Sequence, residues 1–222
     1  MNTVRKFGKS FNVVDTQLNS KFWSDHYEGW ENSTFDFIIP RLDKDKTFID
    51  IGSWIGPISL VASQFSKQCI CFEPDGIAHD EFKQNIELNK IENIHLNNAA
   101  VSIHPEIQIG CDVLGQSVTR DSCKTNVITC KCFSIKDILD KYNLSEQDIS
   151  VIKIDVEGHE TELLKDKTLW DLNVPMHISF HPGWKEDKQL FYDSVIPFLE
   201  HKKIDVSRLE SFGNFFDLTI NK

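Results

Sequence analysis

From Thr47 onward the chain alternates short apolar runs of strand length with segments of helical length, and that alternation leaves few folds open. Thr47-Phe-Ile-Asp-Ile51 stops at Gly52, residues 58–66 read as a helix, and Gln68-Cys-Ile-Cys-Phe72 reads as the next strand. A helix over 76–90 carries Ala78, Phe82, Ile86 and Asn89 at helical spacing, and a strand near Ile94-His-Leu96 follows. Residues 105–132 break the rhythm: Thr-, Val- and Ile-rich runs around Gly110 and Gly115 predict extra strands or a hairpin. Ser134 is placed to cap a helix whose Ile135, Ile138, Leu139 and Tyr142 recur at i, i+3, i+4 and i+7. Then come a strand at Ser150–Ile154, a helix over 158–167, a strand at Val174–Phe180, a helix over 186–201 containing Pro197, and a closing strand pair within 203–220. The pattern implies an α/β fold, a mostly parallel sheet with helices on both faces. Such sheets bind ligands at the carboxyl ends of their strands, where the strand order reverses.

The first 45 residues differ. Phe7, Phe11, Phe22, Trp23, Tyr27, Trp30, Phe35 and Phe37 crowd this stretch, and parts of 16–42 read as helix with Pro40 near the end. The expectation is a helical amino-terminal extension (1–45) packed as a cover on a core domain (46–222), with the alternative that some of its rings line a substrate pocket. No apolar run approaches the roughly 20 residues of a membrane span, and the basic amino terminus lacks a following apolar stretch, so a soluble cytoplasmic protein without a signal peptide or membrane partner is expected. With 24 basic against 34 acidic residues the formal charge is −10, and no long block of like charge appears. A nucleic-acid partner is therefore not expected. Cys69/Cys71 and Cys130/Cys132 are C-x-C pairs on strand-like segments, where both thiols share a face. They suit neither a disulfide nor a zinc site and read as buried packing residues.

Three segments carry chemistry. The first strand runs into Asp50-Ile-Gly52-Ser-Trp54-Ile-Gly56-Pro57, a turn whose glycines let the backbone approach a ligand at a helix amino terminus. A dinucleotide fingerprint would need glycine at the positions of Trp54 and Pro57, which disfavours a nicotinamide enzyme. The second strand ends in Phe72-Glu73-Pro74-Asp75, and Glu73 lies where a second-strand carboxylate reaches ribose hydroxyls. The third is Ile152-Lys153-Ile154-Asp155-Val156-Glu157-Gly158-His159-Glu160, a strand delivering two carboxylates at its carboxyl end. Glu157 also suits a capping role at the following helix.

Phe48-Ile-Asp-Ile-Gly-Ser-Trp-Ile-Gly56, Cys71-Phe-Glu-Pro-Asp75, Asn98-Ala-Ala-Val-Ser102 and Ile152-Lys-Ile-Asp-Val-Glu-Gly158 together resemble the FkbM family of S-adenosylmethionine-dependent methyltransferases. The resemblance spans roughly 46–170. It implies a class I, Rossmann-like methyltransferase fold, S-adenosyl-L-methionine as cofactor, and methyl transfer to a hydroxyl of a sugar, glycan or secondary metabolite. By position, Asp50, Gly52 and Gly56 shape the methionine side of the pocket, with Ser53 and Trp54 in the same turn. Glu73 holds the ribose, and Asp155 belongs to the cofactor site as well. Where many class I enzymes place an acid for the adenine, this chain reads Asn98-Ala99-Ala100, so adenine recognition would rest on backbone groups there or on Ser117.

A hydroxyl nucleophile benefits from a base, and the candidates are Asp155, Glu157, His159 and His181, with Asp155, Glu157 and His181 taken as the catalytic set. Two carboxylates alone do not establish a divalent ion, and no metal is expected. The rivals are a nucleotide-sugar or nicotinamide oxidoreductase on a similar sheet, and a cofactor-binding module without catalysis.

Overall fold

The computed structural model describes residues 2–16, 19–111, 117–118, 127–181, 189, 191–204, 209–212 and 215–221. Its centre is a sheet of seven strands: β3 (Thr47–Ile51), β4 (Gln68–Phe72), β5 (Ile94–Asn97), β10 (Ile149–Asp155), β11 (Met176–Phe180), β12 (Leu209–Phe212) and β13 (Phe215–Ile220). They lie in the order β12-β13-β11-β10-β3-β4-β5. From β11 to β5 the neighbours are parallel, and β13 enters antiparallel beside β11. β3 and β11 are buried along their whole length, and β10 along all but its last residue. Both faces of these strands are therefore covered, and their polar residues, among them Asp50, Lys153, His177 and Ser179, are buried with the apolar ones. The strand order reverses between β3 and β10, so the crevice at their carboxyl ends is where a ligand is expected.

Local sequence fixes the helices that cover this sheet. In α3 (Gly76–Leu88) the Asp75 carboxylate caps the amino end, accepting from the Ile77 and Ala78 amides at 2.8 and 3.3 Å. The predicted Ser134 cap of α4 (Ile135–Tyr142) is present as a capping box with Asp137. α2 (Pro57–Ala62) starts at Gly56, whose φ of +88° and the Phe82 ring, 2.2 Å from where a Cβ would sit, leave room for glycine alone. The extra strands anticipated within 105–132 form a second sheet of β6 (Ala100–Val101), β9 (Val127–Phe133), β7 (Glu106–Cys111) and β8 (Ser117–Val118), in that order. Cys69, Cys71, Cys130 and Cys132 are free and buried, as their spacing suggested.

Two sequence expectations need correction. Residues 2–13 are not helical: β1 (Asn2–Lys6) and β2 (Lys9–Val13) form an antiparallel hairpin that turns at Phe7 and Gly8, both with positive φ. Among the described residues helical structure begins at Ser20 and Lys21, which lead into a π-helical turn at Phe22–His26, and α1 (Asn32–Ile38) follows. The helix expected over 158–167 is shorter, α5 (Glu160–Leu163), and a separate α6 (Lys167–Asp171) follows, its amino end capped by buried Asp166 through the Thr168 amide. The later helix is described from a π-helical turn at Phe191–Val195 into α7 (Ile196–His201), with Pro197 in its first turn. Among the described residues no helix is long and apolar enough to cross a membrane.

The amino-terminal segment packs on the face of the sheet that carries α2 and α3. Val4, Phe11, Val13, Trp23, Tyr27 and Phe35 share one apolar cluster with Phe48, Ile58, Leu60 and Phe82. Polar contacts with α3 fix its register. Asn89 accepts from the Asn12 amide and donates to the Asn12 carbonyl, and Asn85 accepts from the Val14 amide. Buried Glu81 accepts from Thr16 Oγ1, Asn19 Nδ2 and Trp23 Nε1 at 3.0, 2.9 and 3.3 Å. Replacing Glu81 with alanine leaves those donors buried and unpaired, so we expect Glu81→Ala to lower the unfolding free energy by about 2–3 kcal/mol. Urea denaturation checks this. Hydrogen exchange should rise first in residues 14–30, and a global loss without that local signature would contradict the assigned network.

Candidate active site

The crevice at the strand ends is a cavity of about 720 Å³. Residues following β3, β4, β10 and β11 meet there: Gly52 to Trp54, Glu73, Asp155 to Glu157, and His181. The amino-terminal segment closes one side with Phe22 and Gly29 to Ser33, and the second sheet closes another with Ile107 and Ile109. Two rings of the extension, Phe22 and Trp30, line this cavity. Phe22 and Trp54 lie ring to ring at 4.7 Å, with Trp30 beside both.

The turn after β3 is held against two neighbouring strands. The Gly52 and Ser53 amides both donate to the Phe72 carbonyl at 3.0 Å. Gly52 has φ +79°, and a Cβ there would sit 1.7 Å from the Asp155 carbonyl oxygen, so the close approach of β3 and β10 requires glycine. Trp54 adopts φ +48° and its amide donates to Glu73 Oε2 at 2.7 Å, while the Asp75 amide donates to Oε1 at 2.8 Å. Glu73 is 5% exposed, and burial lifts its pKa to about 8 against the opposing pull of those two amides. Asn98 does not line the cavity; its side-chain amide donates to the Glu73 and Pro74 carbonyls and fixes their turn. Ala99 lines the cavity beside Phe72, Pro74, Val101, Ile107 and Ile109, an apolar slot suited to a flat ring. Ser117 lies in β8, and its side chain falls outside the described residues.

Beneath the turn sits Lys153, to which sequence reasoning gave no role. Its ammonium is buried, donates to the Gly52 carbonyl at 2.7 Å, and lies 3.3 Å from Asp50 Oδ1 and 3.5 Å from Asp155 Oδ2. Burial alone would lower its pKa, but Asp50, Asp155 and Glu31 outweigh that, and Lys153 is held protonated. Asp50 is 1% exposed, with Oδ2 accepting from Ser59 Oγ at 2.6 Å. The available signal was the lysine itself: a lysine inside an apolar strand is tolerated only when paired.

Asp155, Glu157 and His181 do converge. His181 Nδ1 is 3.4 Å from Asp155 Oδ1 and Nε2 is 3.9 Å from Glu157 Oε1. A third acid joins them that sequence reasoning missed, buried Glu160, 3.3 Å from His181 Nδ1. Glu160 also accepts from the Val156 and Gly158 amides and so holds the loop that leads into α5. Glu157 itself is half exposed on a left-handed backbone, φ +49°. Burial would lower the pKa of His181, but Asp155, Glu160 and Glu157 raise it to about 10. Asp155 moves the other way: Lys153 and His181 overcome its burial and hold it below its ordinary value. His159, also in the cavity wall, makes a 2.9 Å contact to Ser102 Oγ, and burial lowers its pKa. One donor atom from each of Asp155, Glu157 and His181 lies within 4.8 Å of the others, a spacing a divalent ion accepts. A cation there would have to displace the imidazole proton that these acids stabilise.

The wall is acidic. Glu31, Asp50, Glu73, Asp155, Glu157 and Asp217 line it, and Lys153, His159 and His181 are the basic residues facing them among the described residues. Glu31 Oε2 and Trp54 Nε1 are buried without a hydrogen bond, which native structures rarely leave, while Asp50 Oδ1 and Asp155 Oδ1 are engaged only through their ion pairs with Lys153 and His181. The set fits a cation carrying a ribose and a flat base. It opposes a pyrophosphate, for which basic groups or free amides would be needed.

Residues 50–205 match the family pattern described as the Methyltransferase FkbM domain. Among solved structures, an rRNA methylase from Streptococcus thermophilus superposes with a TM-score of 0.50 at 15% identity, covering 86% of this chain and 94% of that one. SMU.1697c from Streptococcus mutans, solved in complex with SAH, superposes with a TM-score of 0.51 at 15% identity, covering 85% and 94%. At that identity the likeness shows the fold, a class I methyltransferase sheet. No curated protein matches the sequence.

The His181 pKa fixes a sign. Its folded value, about 10, lies above the unfolded value near 6.5. Its ion pairs therefore add stability that is complete below pH 6.5 and is lost as pH rises toward 10. We expect the stability gap between wild type and His181→Gln to shrink steadily across that window in denaturant titrations. A gap that is flat or widens with pH would contradict the ion-pair assignment.

Proposed function

The chain belongs to the FkbM methyltransferase family, and on that premise we propose that it uses S-adenosylmethionine to methylate a hydroxyl of a neutral, polyhydroxylated acceptor such as a sugar or glycan. The observation that carries the reading is the acidic cavity, with Glu73 at the carboxyl end of β4 and an aromatic rim of Phe22, Trp30 and Trp54. When bound, the cofactor supplies a methyl group already activated on a sulfonium. The chain's own task is to hold an acceptor oxygen in line and to exclude water, worth roughly 7–11 kcal/mol of the barrier.

The residues divide that task. Glu73, pinned by two amides, keeps a lone pair on each oxygen for ribose hydroxyls. The turn over Gly52, Ser53 and Trp54 presents backbone to the methionine end, and Asp50 acts on it through Lys153. The slot at Ala99, Ile107 and Ile109 takes the adenine. Asp155 and Glu157 face the acceptor side as hydrogen-bond acceptors. His181, expected from sequence as a base, serves better as a fixed cation, because a protonated imidazole donates to an acceptor or a carboxylate and takes no proton. Aromatic faces beside carboxylates suit the apolar faces and hydroxyls of a sugar. The same acids, and a chain charge of −10, speak against a nucleic-acid acceptor of the kind named for the Streptococcus thermophilus neighbour. They likewise speak against the nicotinamide rival.

Calorimetry should find Glu73→Ala weakened toward S-adenosylmethionine by about 1.5–3 kcal/mol, roughly 10- to 150-fold. Unchanged affinity would remove Glu73 from the cofactor site. For the acceptor, a panel of methyl glycosides and an rRNA fragment can be offered with methyl-tritiated cofactor. Label on a glycoside is the expected result, and label confined to the RNA would overturn the acceptor class.

A further inference from the structure

We propose that Glu31, carried into the cavity by the amino-terminal segment, is the residue that receives the acceptor's proton. The assignment rests on the methyl-transfer reading above. Glu31 lies before residue 50, where the family match begins, yet it lines the same cavity as Lys153, Asp155 and Asp217. Its Oε2 atom is buried and has no hydrogen-bond partner among the described residues. The Thr34 hydroxyl stands close enough to draw its pKa down a little, but it misses hydrogen-bond geometry and is itself unpartnered. A buried carboxylate oxygen without a donor is rare, and Glu31 is only partly buried as a residue, so its carboxyl group stands in the cavity wall with one oxygen turned into the protein.

The backbone supports the same assignment. Glu31 sits at φ 44° and ψ 44°, a left-handed conformation uncommon for a long side chain. Strain of this kind persists where surrounding structure enforces it, and it gathers at functional positions. Lys6 is the enforcing group. From the hairpin its buried ammonium donates to the carbonyls of Tyr27, Glu28 and Trp30 at 3.1, 2.8 and 3.0 Å, and to Asn32 Oδ1 at 2.7 Å. Both neighbours of Glu31 are thereby fixed, and with them the place of Glu31 in the cavity wall.

The electrostatics suit a proton acceptor. Burial, then Asp155 and Asp217, raise the pKa of Glu31 to about 8, with Lys153 opposing. Asp50, Glu157 and His181 face the same space. A sulfonium brought beside Glu31 favours its ionised form and moves that pKa toward neutrality, where a general base works best. Asp155 is too weakly basic and His181 is already protonated. In the step itself the acceptor oxygen bonds to the methyl carbon and the carbon–sulfur bond breaks, its electron pair staying on sulfur. The acceptor's proton passes to Glu31.

Proton release on binding tests this without an acceptor. Titrations of the whole chain at pH 7, in buffers of different ionisation enthalpy, compare S-adenosylmethionine with S-adenosylhomocysteine. Both carry the ribose, so any change at Glu73 cancels, and only the first carries a charged sulfur. The expected result is an excess release of roughly half a proton with S-adenosylmethionine. Glu31→Gln should abolish the excess and keep S-adenosylhomocysteine affinity, and Glu31→Ala is read the same way should the glutamine variant misfold. Equal release with both compounds, or an excess that survives the substitution, overturns the assignment. With any glycoside methylated in the panel, Glu31→Gln should slow turnover about 10²–10⁴-fold and Glu31→Asp less, whereas unchanged turnover overturns it. If neither compound binds, the methyl-transfer reading has failed instead. If both bind but no glycoside is methylated, the acceptor class has failed and proton release decides Glu31 alone.

Discussion

The site depends on one buried ammonium. Lys153 lies in the central strand β10, where an unpaired charge would be costly, and three oxygens surround it: the Gly52 carbonyl, Asp50 and Asp155. Those oxygens belong to the carboxyl ends of the two strands between which the sheet order reverses. Lys153 therefore draws together the glycine turn and the acidic strand end, and the distance between them sets the floor of the crevice. Gly52 makes that approach sterically allowed, and Lys153 makes it electrostatically favourable. The Gly52 amide, in turn, ties the turn to β4 through Phe72, beside which Glu73 begins.

Around this centre the chain builds shells of opposite character. Below the cavity floor both faces of the sheet are apolar and ordinary. Above it, carboxylates outnumber cations, and the cations present are already engaged by acids. A cavity of that kind attracts a positively charged cofactor and leaves surplus carboxylates to bind hydroxyls. The amino-terminal segment supplies the rim, and it is positioned by polar contacts from Glu81, Asn85, Asn89 and Lys6 together with its apolar packing on α2 and α3.

Much of this was legible in the sequence because it follows from period and spacing. β3, β4 and β10 announce themselves as continuous apolar runs, and Gly52 and Glu73 stand at the separation that a strand–helix–strand unit imposes. Ser134 shows its cap through Asp137 three residues on. The hairpin at residues 2–13 was hidden because Lys6 occupies an inward position. A lysine there breaks the alternation that marks a strand, and nothing local reveals the four oxygens that receive it. The part played by Glu160 was hidden for a related reason. It turns on the left-handed backbone at Glu157 and Gly158, which swings one acid outward and the other beneath the loop. Glu31 had no signal of its own, since its place in the cavity arises only when the extension folds over the strand ends.

A crystal structure of the chain with S-adenosylhomocysteine tests the central claim most directly. The account predicts Lys153 still within hydrogen-bond distance of the Gly52 carbonyl, the ribose hydroxyls on Glu73, and the sulfur facing the space between Asp155 and Glu31. A cofactor bound away from Glu73, or a Lys153 ammonium that leaves Gly52 to contact the ligand itself, would contradict it.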